Sequence, residues 1–186
     1  MVKKSYELKN RIILLTGATG HLGKTMAYQI LSSGAKLIIT SRSENNLKIF
    51  LSKIKKTYKK NCYAVCVDFT QDNQVNNLIN KIKKKYKYIN GLVNNAYSGN
   101  IGEIQLIGKK DFMNSTSLNL YTPFKLIQNL KPLLAKGYKV SKVSSSVINI
   151  SSMYGMISPN PQYYKNKNFF NPINYGVTKA GLIQLT

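Results

Sequence analysis

Tyr175 and Lys179 stand four residues apart in the run Tyr175-Gly176-Val177-Thr178-Lys179, and on a helix that spacing puts both on one face. An ammonium beside a phenol favours the phenolate, so such a pair can give and take a proton near neutral pH. Ser151-Ser152, at the end of an apolar run, adds a hydroxyl that can hold a carbonyl or alcohol oxygen and share the charge developing on it. Tyr-x-x-x-Lys alone is a frequent surface pair. Its meaning depends on the elements that must position it.

Residues 11–15, 36–40, 62–67, 89–93 and 145–150 are short, apolar and rich in β-branched residues, the pattern of buried strands. Helical patterns separate them at 22–33, 43–60, 71–86 and 109–135, and another begins near Asn174 and is still running at Thr186. Strands alternating with helix-length crossovers predict one doubly wound α/β domain over residues 1–186, a parallel sheet in three α/β/α layers. The last helix meets no stop signal, so the domain reads as incomplete at its C-terminus, with the fifth strand as an exposed edge.

After the first strand comes Thr16-Gly17-Ala18-Thr19-Gly20-His21-Leu22-Gly23 and then an amphipathic helix. Strand, glycine loop and helix N-terminus in that order bring bare backbone to a pyrophosphate, whose charge is met by free N–H groups and the helix dipole. Gly17, Thr19, Gly20, His21, Leu22 and Gly23 are therefore the candidate cofactor contacts. His21 is the sole histidine, and in this loop it reads as lying over the phosphates or facing solvent rather than as a catalyst. An NAD site places an Asp or Glu at the end of the second strand to grip the ribose 2′-hydroxyl. Here that strand ends in Thr40-Ser41-Arg42. Ser41 and the Arg42 guanidinium suit a 2′-phosphate, which favours NADP over NAD.

Composition excludes several classes. The formal charge is +22, but of 28 basic residues only Arg11 and Arg42 are arginine, and the lysines spread through the helical segments. That is a solvated lysine coat rather than a nucleic-acid surface. The densest runs, 53–60 and 81–87, fall at helix ends, where cations suit the dipole. No apolar run is long enough for a membrane span or a signal-peptide core, which predicts a cytoplasmic protein. Cys62 and Cys66 have no histidine nearby and read as core packing, with no metal site.

With these motifs assembled, the chain resembles the short-chain dehydrogenases/reductases from about Lys9 to its end. Further matches are Asp68-Phe69-Thr70 after the third strand, Asn94-Asn95-Ala96-Tyr97 after the fourth, Asn119 in Leu118-Asn119-Leu120, and Asn149-Ile150-Ser151-Ser152. The resemblance implies that Asp68 and Phe69 flank an adenine, Asn95 and Ala96 line the ribose region, and Lys179 binds the nicotinamide ribose while tuning Tyr175. It further implies that Asn119 holds a water in a proton relay and that Ser152, not Ser151, is the catalytic serine. The implied enzyme is an NAD(P)-dependent oxidoreductase acting on a small carbonyl or alcohol, and a homodimer or homotetramer at full length.

Three departures stand out. His21 occupies the family's usual middle-glycine position, and the spacing Gly17, Gly20, Gly23 resembles the extended, sugar-nucleotide branch. Tyr97 replaces a glycine, which puts a ring near the ribose or the substrate mouth. Tyr175 follows Ser152 by 23 positions, a longer separation than the family's usual one. The extra segment, 153–173, is aromatic and amide-rich, suits a polyhydroxylated ligand, and resembles oxidoreductases of surface-sugar and flagellin-modification pathways. The rival readings are a nucleotide-sugar epimerase or dehydratase and, in another class, a non-catalytic cofactor sensor or nucleic-acid binder.

Overall fold

The computed structural model describes residues 7–99, 102–166 and 169–186; within the segment 153–173, positions 167 and 168 lie outside that description. The strands are β1 (Ile12–Leu15), β2 (Lys36–Ser41), β3 (Cys62–Cys66), β4 (Gly91–Asn94) and β5 (Ser146–Asn149). They form one sheet in the order β3-β2-β1-β4-β5. β1 pairs in parallel with both β2 and β4, and β2 with β3. The winding therefore reverses between β1 and β4, the point where this architecture opens a crevice beyond the strand ends. Burial follows from position: every residue of β1 and β4 is buried, whereas β5 lies at the edge and leaves Ile148 50% exposed.

The helices are α1 (His21–Ser32), α2 (Glu44–Lys53), α3 (Lys56–Lys59), α4 (Asp72–Lys85), α5 (Lys109–Thr116), α6 (Thr122–Ser141) and α7 (Ile173–Leu185). Two differ from the sequence pattern. The expected helix 43–60 is broken at Ile54, where the backbone is extended (φ −75°, ψ 150°) and the side chain is 3% exposed; burying this isoleucine outweighs continuing a lysine-rich turn. The expected helix 109–135 runs on to Ser141 and carries a π turn at Ser117–Tyr121. Lys53 and Lys83 to Lys85 do occupy last turns.

The chain forms two compact units. One takes residues up to Ala96 with Ile127–Ile148 and contains the glycine loop; the other takes Tyr97–Leu126 with Asn149–Thr186 and contains Tyr97, Asn119, Ser152, Tyr175 and Lys179. Among the described residues no helix is long and apolar enough to cross a membrane.

Candidate active site

In the first unit, the ends of β1, β2 and β4 are tied together by hydroxyls. Thr16 is 3% exposed. Its Oγ1 donates to the Val93 carbonyl at 3.3 Å and accepts from the N–H groups of Asn95 and Ala96 at 2.9 and 3.0 Å. The Asn95 amide returns across the crevice to the carbonyls of Thr16 and Gly17 at 2.9 and 3.1 Å. Thr40 Oγ1 accepts from Gly17 N–H at 3.4 Å, and the Thr40 carbonyl from Ala18 N–H at 3.0 Å.

This lacing draws the loop so tight that two positions require glycine. Gly17 has φ +64°, and a Cβ there would lie 2.8 Å from Ala96 Cα. A Cβ on Gly23 would overlap the Gly17 carbonyl oxygen and sit 2.9 Å from Ala18 Cα. α1 then starts at His21 with Gly20 as N-cap and no side-chain cap, leaving first-turn N–H groups for an anion. His21 and Leu22 are exposed beside them. Thr19 Oγ1 and Ser41 Oγ share a hydrogen bond of 2.7 Å, Ser41 is buried, and Arg42 is exposed. Asp68 Oδ1 accepts from the Thr70 N–H and hydroxyl at 2.9 and 2.8 Å, while Phe69 packs its ring into the core at 5% exposure. Bare backbone, an uncapped helix start and a hydroxyl pair are the donor set a dinucleotide phosphate needs, so the residues present fit one.

In the second unit, the π turn carries Asn119, 1% exposed; such turns recur at functional sites. Its Oδ1 accepts from Ser98 N–H at 2.8 Å, and its Nδ2 donates to the Ser98 carbonyl at 2.8 Å and to Thr178 Oγ1 at 3.1 Å. Thr178 in turn donates to the Tyr175 carbonyl at 3.0 Å. The two serines are used differently. Ser151 Oγ donates to the Lys179 carbonyl at 2.9 Å, whereas Ser152 Oγ accepts from Tyr154 N–H at 3.2 Å and so keeps its own proton to donate.

Lys179 is 3% exposed, and its Nζ donates to the Ile150 carbonyl at 2.5 Å. The amine lies 5.6 Å from the centroid of the half-buried Tyr175 ring. Burial lowers the Lys179 pKa from its ordinary 10.5 to about 8. The folded chain thus binds fewer protons than the unfolded chain between pH 8 and 10.5, and stability rises with pH through that window, by about 3 kcal/mol at most. Lys179→Met should remove this rise when urea denaturation of both proteins is compared across the window; parallel curves would contradict the assignment.

A cavity of about 800 Å³ also lies in this unit, walled by Ile104, Tyr154, Tyr164, Phe170 and Asn171. Among the described residues, α7 contributes Ile173, Gly176, Val177 and Ala180 to it, and not Tyr175 or Lys179. The Tyr154 and Tyr164 hydroxyls share a hydrogen bond of 3.1 Å.

Residues 11–186 match the family model of the short chain dehydrogenases. The chain belongs to that family.

It is 28% identical to post-translational flagellin modification protein A of Campylobacter coli, over 96% of this chain and 69% of that protein. It is also 28% identical to tropinone reductase-like 3 of Erythroxylum coca, over 100% of this chain and 65% of that protein. The Pseudomonas aeruginosa RhlG/NADP active-site complex shares its fold, with a TM-score of 0.81 at 24% identity over 97% of this chain and 66% of that one. This short chain dehydrogenase thus spans about two thirds of the length of the curated relatives it resembles.

Sequence reasoning singled out none of the hydroxyls that hold these groups in place: Thr16, Thr40 and Thr178. A threonine beside a glycine loop or between Tyr175 and Lys179 was the available signal, but its partners lie up to 80 positions away. Gly155 was a second signal. A Cβ there would come 2.7 Å from the Lys179 carbonyl carbon and 2.9 Å from Ala180 N, so the turn after Ser152 lies directly on α7.

Proposed function

We propose that this short chain dehydrogenase interconverts a carbonyl and a secondary alcohol, with NADP preferred over NAD. The observation that carries the reading is the buried Lys179 amine 5.6 Å from the Tyr175 ring centroid. With that amine beside it, Tyr175 protonates the substrate oxygen in reduction and takes the proton back in oxidation. The free hydroxyl proton of Ser152 holds the same oxygen and stabilises its developing charge. Asn119 fixes the loop at Ser98 and, through Thr178, the backbone of Tyr175; in this reading it also orders the water that resupplies the proton.

Gly17, Thr19, Gly20, His21, Leu22 and Gly23 would hold the cofactor phosphates, Asp68 and the backbone of Phe69 the adenine end, and Asn95, Ala96 and Lys179 the ribose region, with Ser41 and Arg42 at a 2′-phosphate. A bound nicotinamide supplies hydride transfer there. The RhlG complex with NADP supports the cofactor choice. Arg42→Ala should raise KM for NADPH by about tenfold, the scale of one charge-assisted contact, and leave KM for NADH nearly unchanged; equal effects on both would remove Arg42 from selection.

The substrate reading is a sugar-derived carbonyl. It is supported by the aromatic and hydroxyl lining of the cavity beside α7 and by likeness to the flagellin modification protein. The cavity would take the part of the substrate remote from the reacting carbon. Phe170→Ala should raise KM for such a substrate without lowering kcat, and leave reduction of a small aliphatic ketone unchanged. A homodimer or homotetramer is also proposed, supported by Tyr121, Phe124 and Ile183, each at least 41% exposed; the mass in solution tests it. The functional test is NADPH oxidation by the purified protein across a panel of ketones and keto-sugars. Turnover coupled to alcohol formation supports the reading. Isomerised or dehydrated product with the cofactor recycled favours the epimerase or dehydratase that the Gly17, Gly20, Gly23 spacing resembles.

A further inference from the structure

We propose that Tyr97 is a positioning residue for the reacting pair, its ring bracing Tyr175 and covering the amine of Lys179. The inference rests on the reading of Tyr175 and Lys179 above and assigns Tyr97 a role toward those side chains rather than toward the cofactor.

Tyr97 is 63% exposed, yet its ring is not free to wander. It meets the Tyr175 ring edge to face, with centroids 5.9 Å apart and planes at 71°, the geometry aromatic quadrupoles prefer. The Lys179 amine lies 6.0 Å from the Tyr97 centroid as well as 5.6 Å from that of Tyr175, so two rings flank one amine. The backbone beneath is fixed, because the N–H and carbonyl of Ser98 are both held by the Asn119 side chain. Gly99 closes against the same pair: a Cβ added there would be 3.7 Å from Tyr175 Cδ2 and 3.9 Å from Tyr97 Cε2. These contacts make a circuit from Tyr97 through Ser98, Asn119 and Thr178 to the Tyr175 backbone and back through the rings.

The circuit has two consequences. A phenol that exchanges a proton works only while its hydroxyl is aimed at the substrate oxygen, and contact with the Tyr97 ring restrains that ring. The amine lies beside the two rings and donates to the Ile150 carbonyl, and the Tyr97 ring is part of the cover over an amine whose pKa burial lowers. A ring does both jobs, and the Tyr97 hydroxyl does neither.

The test compares Tyr97→Phe and Tyr97→Gly in the whole protein, each checked for folding by circular dichroism. Lys179 is titrated by NMR of its side-chain methylene next to the amine, assigned by its absence in Lys179→Met. Tyr97→Phe should titrate as the parent does and keep its kcat. Tyr97→Gly should raise the Lys179 titration midpoint by about one pH unit and lower kcat by about tenfold with little change in KM. An unchanged midpoint in Tyr97→Gly, or a Tyr97→Phe variant matching Tyr97→Gly, would overturn the proposal. The titration needs no substrate, so a shifted midpoint in a protein that reduces no carbonyl would sustain the covering role and sink the redox reading instead.

Discussion

Tyr175→Phe should lower kcat/KM by about a thousandfold, on the scale of positioned acid and base groups, while the protein should melt at nearly its parent temperature. The substitution removes one hydroxyl and nothing else. Its ring keeps the edge contact with Tyr97 and the place beside Lys179, and the Tyr175 carbonyl still accepts from Thr178. Binding of NADPH, followed by its fluorescence, should be unaltered. A variant retaining more than about a tenth of parent activity would show that another group moves the proton.

Gly23→Ala should give the second large effect, on binding and stability together. The added methyl would overlap the Gly17 carbonyl oxygen. That oxygen cannot retreat cheaply, since Gly17 already stands at φ +64° with no room toward Ala96 Cα, and its carbonyl accepts from the Asn95 amide. Overpacking against backbone costs about 1 to 3 kcal/mol, sometimes more, and a displaced phosphate loop should weaken NADPH binding by about a hundredfold. Gly20→Ala is the control. The nearest atom to its Cβ is the same oxygen at 3.3 Å, so urea denaturation should find it only slightly destabilised. Equal NADPH affinity for Gly23→Ala and the parent would place the cofactor elsewhere.

The strands were legible because buried parallel strands are written as apolar runs, and Ile12–Leu15 and Lys36–Ser41 fall within a residue of the run boundaries. The glycine loop was legible for a related reason: only glycine fits at Gly17 and Gly23, so the constraint is local to the sequence. Asn119 was different. The segment around it keeps a helical pattern throughout, and nothing local announces a π turn whose payoff is hydrogen bonding to Ser98 and Thr178, 21 and 59 positions away. Ile54 breaks a helix for a similar reason, since its burial is decided by the core and not by neighbouring lysines. The cavity behind α7 was foreshadowed as an aromatic, amide-rich segment suited to a polyhydroxylated ligand, without its walls. Which face of α7 it would line depends on how Gly155 and Gly176 let that segment settle on the helix, with a Cβ on Gly176 only 2.9 Å from the Tyr154 carbonyl oxygen.

The most direct measurement is the ratio of NADPH consumed to alcohol formed when the protein is given a carbonyl substrate, read from cofactor absorbance and product analysis in the same reaction. Transfer of hydride to the substrate with the proton from Tyr175 predicts one cofactor oxidised per alcohol produced, and no product from Tyr175→Phe. Product formed with the cofactor unconsumed, or in equal amount by Tyr175→Phe, would contradict it.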